Sequence, residues 1–225
     1  MHANEDYQKK LEECSKQKFI DKSCGFTYFG DTVSKLITAM NKKYLVDPII
    51  DVGAGTGAMV ALLRRNGHRD AIGIDLCPKT DLVQEGLITD LRFPEASFMT
   101  AICTEVLEHL TTEQLRAGLK ETFRVLRPGG HLIVTVPFDE LLEKNSITCP
   151  NCGHHFHRVG HLQSFDKKRM STLLRESGFN PKKIGVFPFS IMSSLPGSRY
   201  YWRLIMRFDK RIGLNKTMLA VARKD

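Results

Sequence analysis

The chain has 225 residues and a formal net charge of +8 at pH 7, with 42% hydrophobic and 26% charged residues. This composition excludes an intrinsically disordered chain, and the length fits one ordinary domain, with or without an insert. No apolar run reaches the roughly 18 residues that a membrane-spanning helix needs. The polar start MHANEDYQKKLEEC lacks the pattern of a secretory signal, and six cysteines without such a signal indicate a reducing compartment. We therefore expect a cytoplasmic protein.

Apolar and amphipathic runs alternate along the chain after residues 1–45, for which we expect a helical cap. Five apolar runs predict buried strands: PIIDVGAG (48–55), AIGIDL (71–76), GLITD (86–90), FMTAICTEV (98–106) and HLIVTVPF (131–138). Three amphipathic runs predict helices: AMVALLRRNG (58–67), TEQLRAGLKETFRVL (112–126) and DKKRMSTLLRESG (166–178). Two further runs predict closing strands: KKIGVFPFS (182–190) and KTMLAVARK (216–224). This alternation predicts an α/β fold with a mostly parallel sheet covered by helices on both faces.

The first predicted strand runs into a glycine turn, DVGAGTG (51–57), that opens a helix. Gly53 and Gly55 let the backbone turn tightly and approach a ligand, and Gly57 permits close packing of helix on strand. The spacing departs from GxGxxG because the third glycine comes one residue too early, which disfavours a nicotinamide dinucleotide. Ligands in such sheets bind at the carboxyl ends of the strands.

Two acids follow the next apolar runs at the same predicted edge of the sheet. Asp75 ends the second run and is placed to accept hydrogen bonds from a ribose diol. Asp90 ends the third run, where its side chain would meet an adenine edge. An acid in such a position can also serve only to cap a helix or solvate a strand end.

The segments IIDVGAGTG, GIDL, TDLRFPEASF, CTEVLEHL and RVLRPGGHLIVTVPF, in this order, resemble class I S-adenosylmethionine (SAM)-dependent methyltransferases of the UbiE-like type. The resemblance covers residues 45–180. It implies a Rossmann-like, doubly wound sheet of seven strands, mostly parallel with an antiparallel last strand. Met99 is a departure, since many members of the family have an acid at this position.

The resemblance also implies a cofactor site for SAM. The residues that it assigns to this site are Asp51, Gly53, Ala54, Gly55, Gly57, Asp75, Leu76, Asp90, Leu91, Thr104 and Glu105. Within this set, the glycine turn would pass the methionine part of the cofactor, and Asp75 would bind the ribose hydroxyls. Asp90 and Leu91 would lie near the adenine, and Thr104 and Glu105 would line the floor of the site.

Residues 139–165 interrupt the strand–helix rhythm and contain CPNCGHHFHRVGH (149–161). Cys149, Cys152, His157 and His161 are four thiolate and imidazole ligands at short spacing, a combination that zinc binds in tetrahedral sites. His154 and His155 are rival ligands. Four ligands favour a closed, structural zinc site that pins a lid over the methyl-transfer site, and the alternative is a metal-free loop.

Methyl transfer from a sulfonium needs a base only if the acceptor must lose a proton. The candidate catalytic residues are Glu105, His109 and His161, with His157 as a further candidate base. The sequence assigns Glu108 to the surface or to the start of a helix.

The net charge is concentrated near the C-terminus, because residues 181–225 carry ten Lys and Arg against two Asp. The segment 193–215 repeats arginine every four residues among aromatic and aliphatic side chains, as in a basic amphipathic helix. Such a helix fits peripheral contact with an anionic membrane, and RNA is a less favoured partner.

We expect a methyltransferase that acts on a small-molecule, glycan or lipid-linked acceptor at oxygen. The alternative is an RNA or protein methyltransferase that holds its substrate with the cysteine-containing insert and the basic helix.

Overall fold

The structure is a computed structural model that describes residues 34–35, 37–149, 151–188 and 216–225. Seven of its strands form the main sheet: β1 (Ile49–Val52), β2 (Ile72–Asp75), β3 (Val83–Glu85), β4 (Phe98–Thr104), β5 (Leu126–Pro137), β8 (Phe179–Phe187) and β9 (Thr217–Lys224). Two short strands form a separate hairpin: β6 (Ser146–Thr148) and β7 (His155–His157). The α-helices that connect the strands are α1 (Ala58–Arg65), α2 (Thr112–Val125) and α3 (Lys167–Glu176).

The main sheet has the strand order β3-β2-β1-β4-β5-β9-β8. The strands from β1 to β5 pair in parallel, and β9 pairs antiparallel with both β5 and β8. This confirms the predicted Rossmann-like sheet of seven strands with an antiparallel last strand. The chain turns from β1 towards β2 on one side and later adds β4 on the other side, so the strand order reverses between β1 and β4. In doubly wound sheets, ligands bind at the carboxyl ends of the strands at this reversal.

The core consists of two buried clusters that contain alternating residues of the central strands. Ile50 and Val52 belong to one cluster together with α2 and α3 residues such as Leu115 and Leu174, whereas Ile49 belongs to the other cluster together with α1. Alternation along a strand sends neighbouring side chains to opposite faces of a sheet. The helices therefore cover both faces, as the near-continuous apolar strands predict.

Local signals fix the ends of the helices. Thr111 caps α2 by accepting the Gln114 backbone N–H, while the Gln114 side chain accepts the Thr111 N–H, which forms a capping box. Asp166 caps α3 by accepting the Arg169 backbone N–H at 2.6 Å. Gly178, which follows α3, has the left-handed φ of +92° that ends many helices.

The third strand differs from the prediction, because β3 is Val83–Glu85 and the predicted run 86–90 is a loop. The Gly86 N–H donates to the Asp75 carbonyl at 3.0 Å, and there the chain leaves the sheet. Ile88 then packs against Gly118 of α2, since a Cβ at Gly118 would lie 2.9 Å from Ile88 Cγ1. The apolar run 86–90 therefore covers a helix rather than forming a strand.

The structure describes only part of the predicted N-terminal cap. Residues 37–41 and the 3₁₀ turn Lys42–Tyr44 are helical, and Ile37 and Leu45 contribute to the core. Most of the predicted N-terminal cap and all of the basic segment 193–215 lie outside the described residues. Within the described part of the chain, no helix is both long and apolar enough to cross a bilayer.

Candidate functional site at the carboxyl edge of the sheet

The glycine turn after β1 is built around Asp75 at the end of β2. The Asp75 Oδ2 accepts the Gly55 backbone N–H at 2.8 Å, and Oδ1 accepts the Cys77 N–H at 2.9 Å. The backbone N–H groups of Gly53 and Ala54 both donate to the Ile74 carbonyl, at 2.8 and 3.0 Å. A carboxylate has about four lone-pair sites, so Asp75 keeps acceptor capacity for a ligand hydroxyl.

The loops after β1 and β4 meet where the strand order reverses. Gly53 has φ of +79°, and a Cβ added there would lie 2.2 Å from Cγ2 of Val106. Glycine is therefore needed at this position both for its backbone conformation and for its lack of a side chain. A second close approach, absent from the sequence analysis, occurs at Gly73 of β2, where a Cβ would lie 2.8 Å from Cβ of Ala54.

Asp51 lies in β1 directly before this turn and is 1% exposed. Its burial, together with the negative charge of Asp75, raises the pKa of Asp51 to about 7. The carboxyl edge of the sheet thus carries an acid that can exchange a proton near neutral pH.

The predicted adenine contacts divide into one exposed and one buried residue. Asp90 is exposed and lies 3.4 Å from the Arg92 guanidinium. Leu91 is 1% exposed within the core, and its backbone N–H donates to Glu121 Oε1 at 3.0 Å. The Leu91 side chain therefore faces the core, and its place near the adenine stays a prediction. The partly exposed Leu76, which follows β2, stays a predicted contact.

An acid–histidine cluster occupies the next part of the same edge, beyond β4 and β5. It consists of Glu105, Glu108, His109, Glu140, His157 and His161. Glu105 directly follows Thr104, the last residue of β4. It has a φ of +54°, and its backbone N–H donates to the Thr135 carbonyl at 2.9 Å. Positive φ at a non-glycine residue is a strained conformation that often occurs at functional sites.

Burial changes the protonation of this cluster. It raises the pKa of Glu108 well above its usual value, and the negative charge of Glu105 raises it further. Burial also raises the pKa of Glu105, although the Thr135 side chain opposes the change. The pKa of His109 is lowered to about 4, first by burial and then by His161, so its imidazole is neutral at pH 7.

Two members of this cluster were assigned otherwise or missed in the sequence analysis. Glu108 is 1% exposed in the first turn of the 3₁₀ helix Leu107–His109, so the prediction of a helix-start acid is confirmed and the alternative of a surface acid is wrong. Glu140 was not predicted at all. Glu140 comes three residues after Pro137, the last residue of β5. An acid close to the end of a strand is the signal that could have identified it, as it identified Asp75 at the end of β2.

The insert folds back onto the cluster through its last residues. The backbone N–H groups of Leu162 and Gln163 donate to the Glu108 carbonyl, at 2.7 and 3.1 Å. The Gln163 side chain donates to the Leu110 carbonyl at 3.2 Å. His161, predicted both as a candidate base and as a metal ligand, is thereby brought next to His109, with their ring centres 4.8 Å apart.

The four predicted zinc ligands are not brought together. Cys149 and Cys152 lie in the loop that joins β6 to β7, whereas His157 pairs with Ser146 at the other end of the hairpin. Cys149 is three residues beyond Ser146, so the strand separates it from His157 by about 10 Å along the hairpin. Among the described residues, two groups bring three metal-ligand atoms within 4.8 Å of one another, and neither contains a cysteine.

The cysteine loop nevertheless has features of a thiolate site. The Cys149 N–H donates to the His154 carbonyl, and the Gly153 N–H donates to the Cys149 carbonyl, so the loop closes tightly. The backbone N–H groups of Cys152 and Asn151 lower the pKa of the Cys149 thiol. Zinc at this loop stays a prediction.

A family model described as a methyltransferase domain, Methyltransf_23, matches residues 2–183. The chain belongs to this methyltransferase family. With the seven-stranded sheet and the glycine turn, family membership makes it a SAM-dependent methyltransferase domain of the class I fold.

Curated relatives of this methyltransferase domain differ in the acceptors that their names give. "Probable tRNA methyltransferase 9B" from Bos taurus is 31% identical over 165 residues, which cover 67% of this chain and 33% of that protein. Demethylmenaquinone methyltransferase from Tropheryma whipplei (strain Twist) is 32% identical over 100 residues, which cover 39% of this chain and 41% of that protein. The chain thus spans well under half the length of these two relatives.

A solved structure gives the same fold over the whole methyltransferase domain. The 1,6-didemethyltoxoflavin-N1-methyltransferase of Burkholderia thailandensis, bound to 1,6-didemethyltoxoflavin and S-adenosylhomocysteine (SAH), has a TM-score of 0.67 and 19% identity. The match covers 100% of this chain and 91% of that one. At this identity the likeness concerns the fold alone.

Proposed function

We propose that this methyltransferase transfers the methyl group of SAM to an oxygen of a small-molecule, glycan or lipid-linked acceptor. The observation that carries the proposal is the position of the acid–histidine cluster. It lies at the carboxyl edge of β4 and β5, and Val106, which directly follows Glu105, packs against Gly53 of the glycine turn. The cofactor would bind along the turn, and the acceptor would meet its methyl group on the side of the cluster.

For methyl transfer to a hydroxyl, the protein must hold the acceptor in line with the methyl group and must accept one proton. SAM supplies the electrophilic methyl group, and the transfer is an in-line displacement in which the acceptor oxygen replaces the sulfur. A hydroxyl acceptor loses its proton in this step. We assign that proton to Glu105, because it directly follows β4 at the reversal point and its raised pKa makes it a stronger base than an ordinary carboxylate.

Two observations favour a small or lipid-linked acceptor over a macromolecule. The cluster is largely buried, with Glu108, His157 and His161 each below 9% exposed, and the end of the insert closes over it. The Burkholderia thailandensis enzyme, whose fold is similar, acts on a small molecule, as its name states. For a lipid-linked acceptor, the basic segment 193–215 would lie against an anionic membrane.

A tRNA acceptor is the second candidate, and one observation favours it. The Bos taurus relative carries tRNA methyltransferase in its name. The positive charge of residues 181–225 would then neutralise phosphates, and binding would weaken steeply with salt.

The two candidates separate in one labelling experiment. The protein and methyl-labelled SAM are incubated with extract of the source cells, and lipid, small-molecule, RNA and protein fractions are counted. We expect label in the lipid or small-molecule fraction, absent with the Glu105→Gln variant although that variant still binds SAH. Label confined to RNA or protein would overturn the proposal.

A further inference from the structure

The metal-ligand groups of the described residues share His161 but differ in how their ligand atoms are used. One group is Glu140, His157 and His161, and the other is Glu108, His109 and His161. Protein ligands to a metal need lone pairs that no hydrogen bond already occupies. Comparison of these two groups therefore shows which of them is prepared to bind an ion.

Hydrogen bonds already occupy most of the ligand atoms of the group that contains Glu140. The His161 Nδ1–H donates to Glu140 Oε2 at 2.5 Å, and His157 Nε2 lies 3.3 Å from Glu140 Oε1. The remaining nitrogen of His157, Nδ1, accepts the backbone N–H of His161 at 3.0 Å. His157 Nε2 is buried without a hydrogen-bond partner among the described residues, but both Glu140 oxygens already accept a hydrogen bond, so this group has no free carboxylate oxygen for an ion.

The other group leaves its ligand atoms free. The Glu108 side chain has a hydrogen bond with the neighbouring acid Glu105, and its two carboxylate oxygens are otherwise buried without a partner among the described residues. His161 Nε2 is likewise buried and unpartnered. His109 donates its Nδ1–H to the Gly160 carbonyl at 3.3 Å, which leaves Nε2 with its lone pair. Buried polar atoms without partners are costly, and an unplaced ion is one explanation for them.

We infer that Glu108, His109 and His161 bind a divalent transition-metal ion. Two imidazoles and one carboxylate form a ligand set for ions such as Zn²⁺, Fe²⁺ or Co²⁺, and three protein ligands leave coordination positions open. Ligand atoms around an ion with bonds of about 2.1 Å lie about 3.4 Å apart in a tetrahedral site. Small side-chain rotations from the observed limit of 4.8 Å bring them to that separation.

The surroundings of this site have the features that support metal ligands elsewhere. Glu140 orients His161, and the Gly160 carbonyl orients His109, so both rings present Nε2 in a fixed tautomer. The positive ion would also offset the cost of holding Glu108 and Glu105 in a buried environment. If the proposed function is correct, an open coordination position would bind the acceptor oxygen and ease the loss of its proton.

The experiment titrates Co²⁺ into the 225-residue chain after removal of metals by a chelator, with visible and near-ultraviolet absorption as the readout. Thiolate ligands give strong near-ultraviolet charge-transfer bands, whereas histidine and carboxylate ligands do not. The matched control is the Cys149→Ser/Cys152→Ser double variant, which removes the exposed cysteine loop as a competing site. Circular dichroism and SAH titration of each variant report folding and cofactor binding separately from the metal.

We expect the double cysteine variant to bind one equivalent of Co²⁺ without charge-transfer bands, and any such bands in the wild-type protein to be absent from that variant. His161→Gln and Glu108→Gln should each weaken this binding at least 100-fold, and Glu140→Gln should weaken it 10- to 100-fold. Co²⁺ should also raise the Tm of the double cysteine variant, a test that requires no change at the site itself.

Loss of all Co²⁺ binding in the double cysteine variant, or unchanged affinity in both ligand variants, would overturn the inference. SAH binding by those proteins would show that the cofactor site is intact, and the labelling experiment tests the proposed acceptor separately.

Discussion

The Asp75 carboxylate accepts the Gly55 backbone N–H at 2.8 Å, across the 20 residues that separate the end of β2 from the turn after β1. This bond ties the two elements that the sequence assigns to the cofactor into one rigid unit. The Ile74 carbonyl adds to it by accepting both the Gly53 and the Ala54 N–H groups. Hydrogen bonds within the protein therefore hold the turn in place, which lowers the entropy cost of binding a ligand there.

Gly53→Ala tests the contact between the two loops at the reversal point. The new Cβ would overlap Val106 Cγ2 at 2.2 Å and would sit at φ of +79°. We expect a loss of about 2 kcal/mol or more in the free energy of unfolding, measured by urea denaturation. Gly67→Ala is the control, since φ there is +101° but nothing lies within 4 Å, and it should cost only about 1 kcal/mol. Equal losses in the two variants would contradict the steric argument.

Asp51→Asn tests the effect of burial on the acid in β1. The folded-state pKa of Asp51 is about 7, against 3.8 for an unperturbed Asp. Between these values the unfolded chain releases the proton and the folded chain retains it, so wild-type stability falls as the pH rises from about 4 to 7. The Asn variant lacks this loss and should gain stability relative to the wild type by up to about 4 kcal/mol at pH 8. A stability difference that does not change with pH would contradict this account.

Peripheral membrane contact is tested on the segment 193–215, which lies outside the described residues. Sedimentation with vesicles that contain anionic lipid should capture the wild-type protein at low salt. Replacing Arg199, Arg203 and Arg207 with Gln should reduce the bound fraction several-fold, since each basic residue near such a surface contributes about 1 kcal/mol. Vesicles of neutral lipid are the control. Equal binding to both kinds of vesicle would contradict an electrostatic contact.

The sequence predicts the framework of the fold because its signals are local. The capping box at Thr111 and the glycine after α3 act within a few residues of the helix ends that they define. The run 86–90 was predicted as a strand because its apolar pattern does not show that Ile88 packs on Gly118, which lies 30 residues later. Such a contact depends on tertiary structure and has no signature in a short window.

The same reason explains which parts of the site were missed. Glu108 is buried because the backbone of Leu162 and Gln163 closes over it, a contact that spans more than 50 residues. The cysteines and histidines of the insert were grouped by their spacing, but the hairpin pairing sets Cys149 apart from His157. Spacing along the chain indicates metal ligands only when the turn between them is also known.

SAH titration by calorimetry tests most directly whether Asp75 and the glycine turn form the SAM site of this methyltransferase, as we propose. We expect the wild-type protein to bind one equivalent of SAH, and Asp75→Ala to lose at least tenfold in affinity because the ribose acceptor and the support of Gly55 are both removed. Asp81→Asn, at an exposed acid nearby, is the control and should bind SAH as the wild type does. Wild-type affinity in Asp75→Ala, with that variant folded, would contradict the account.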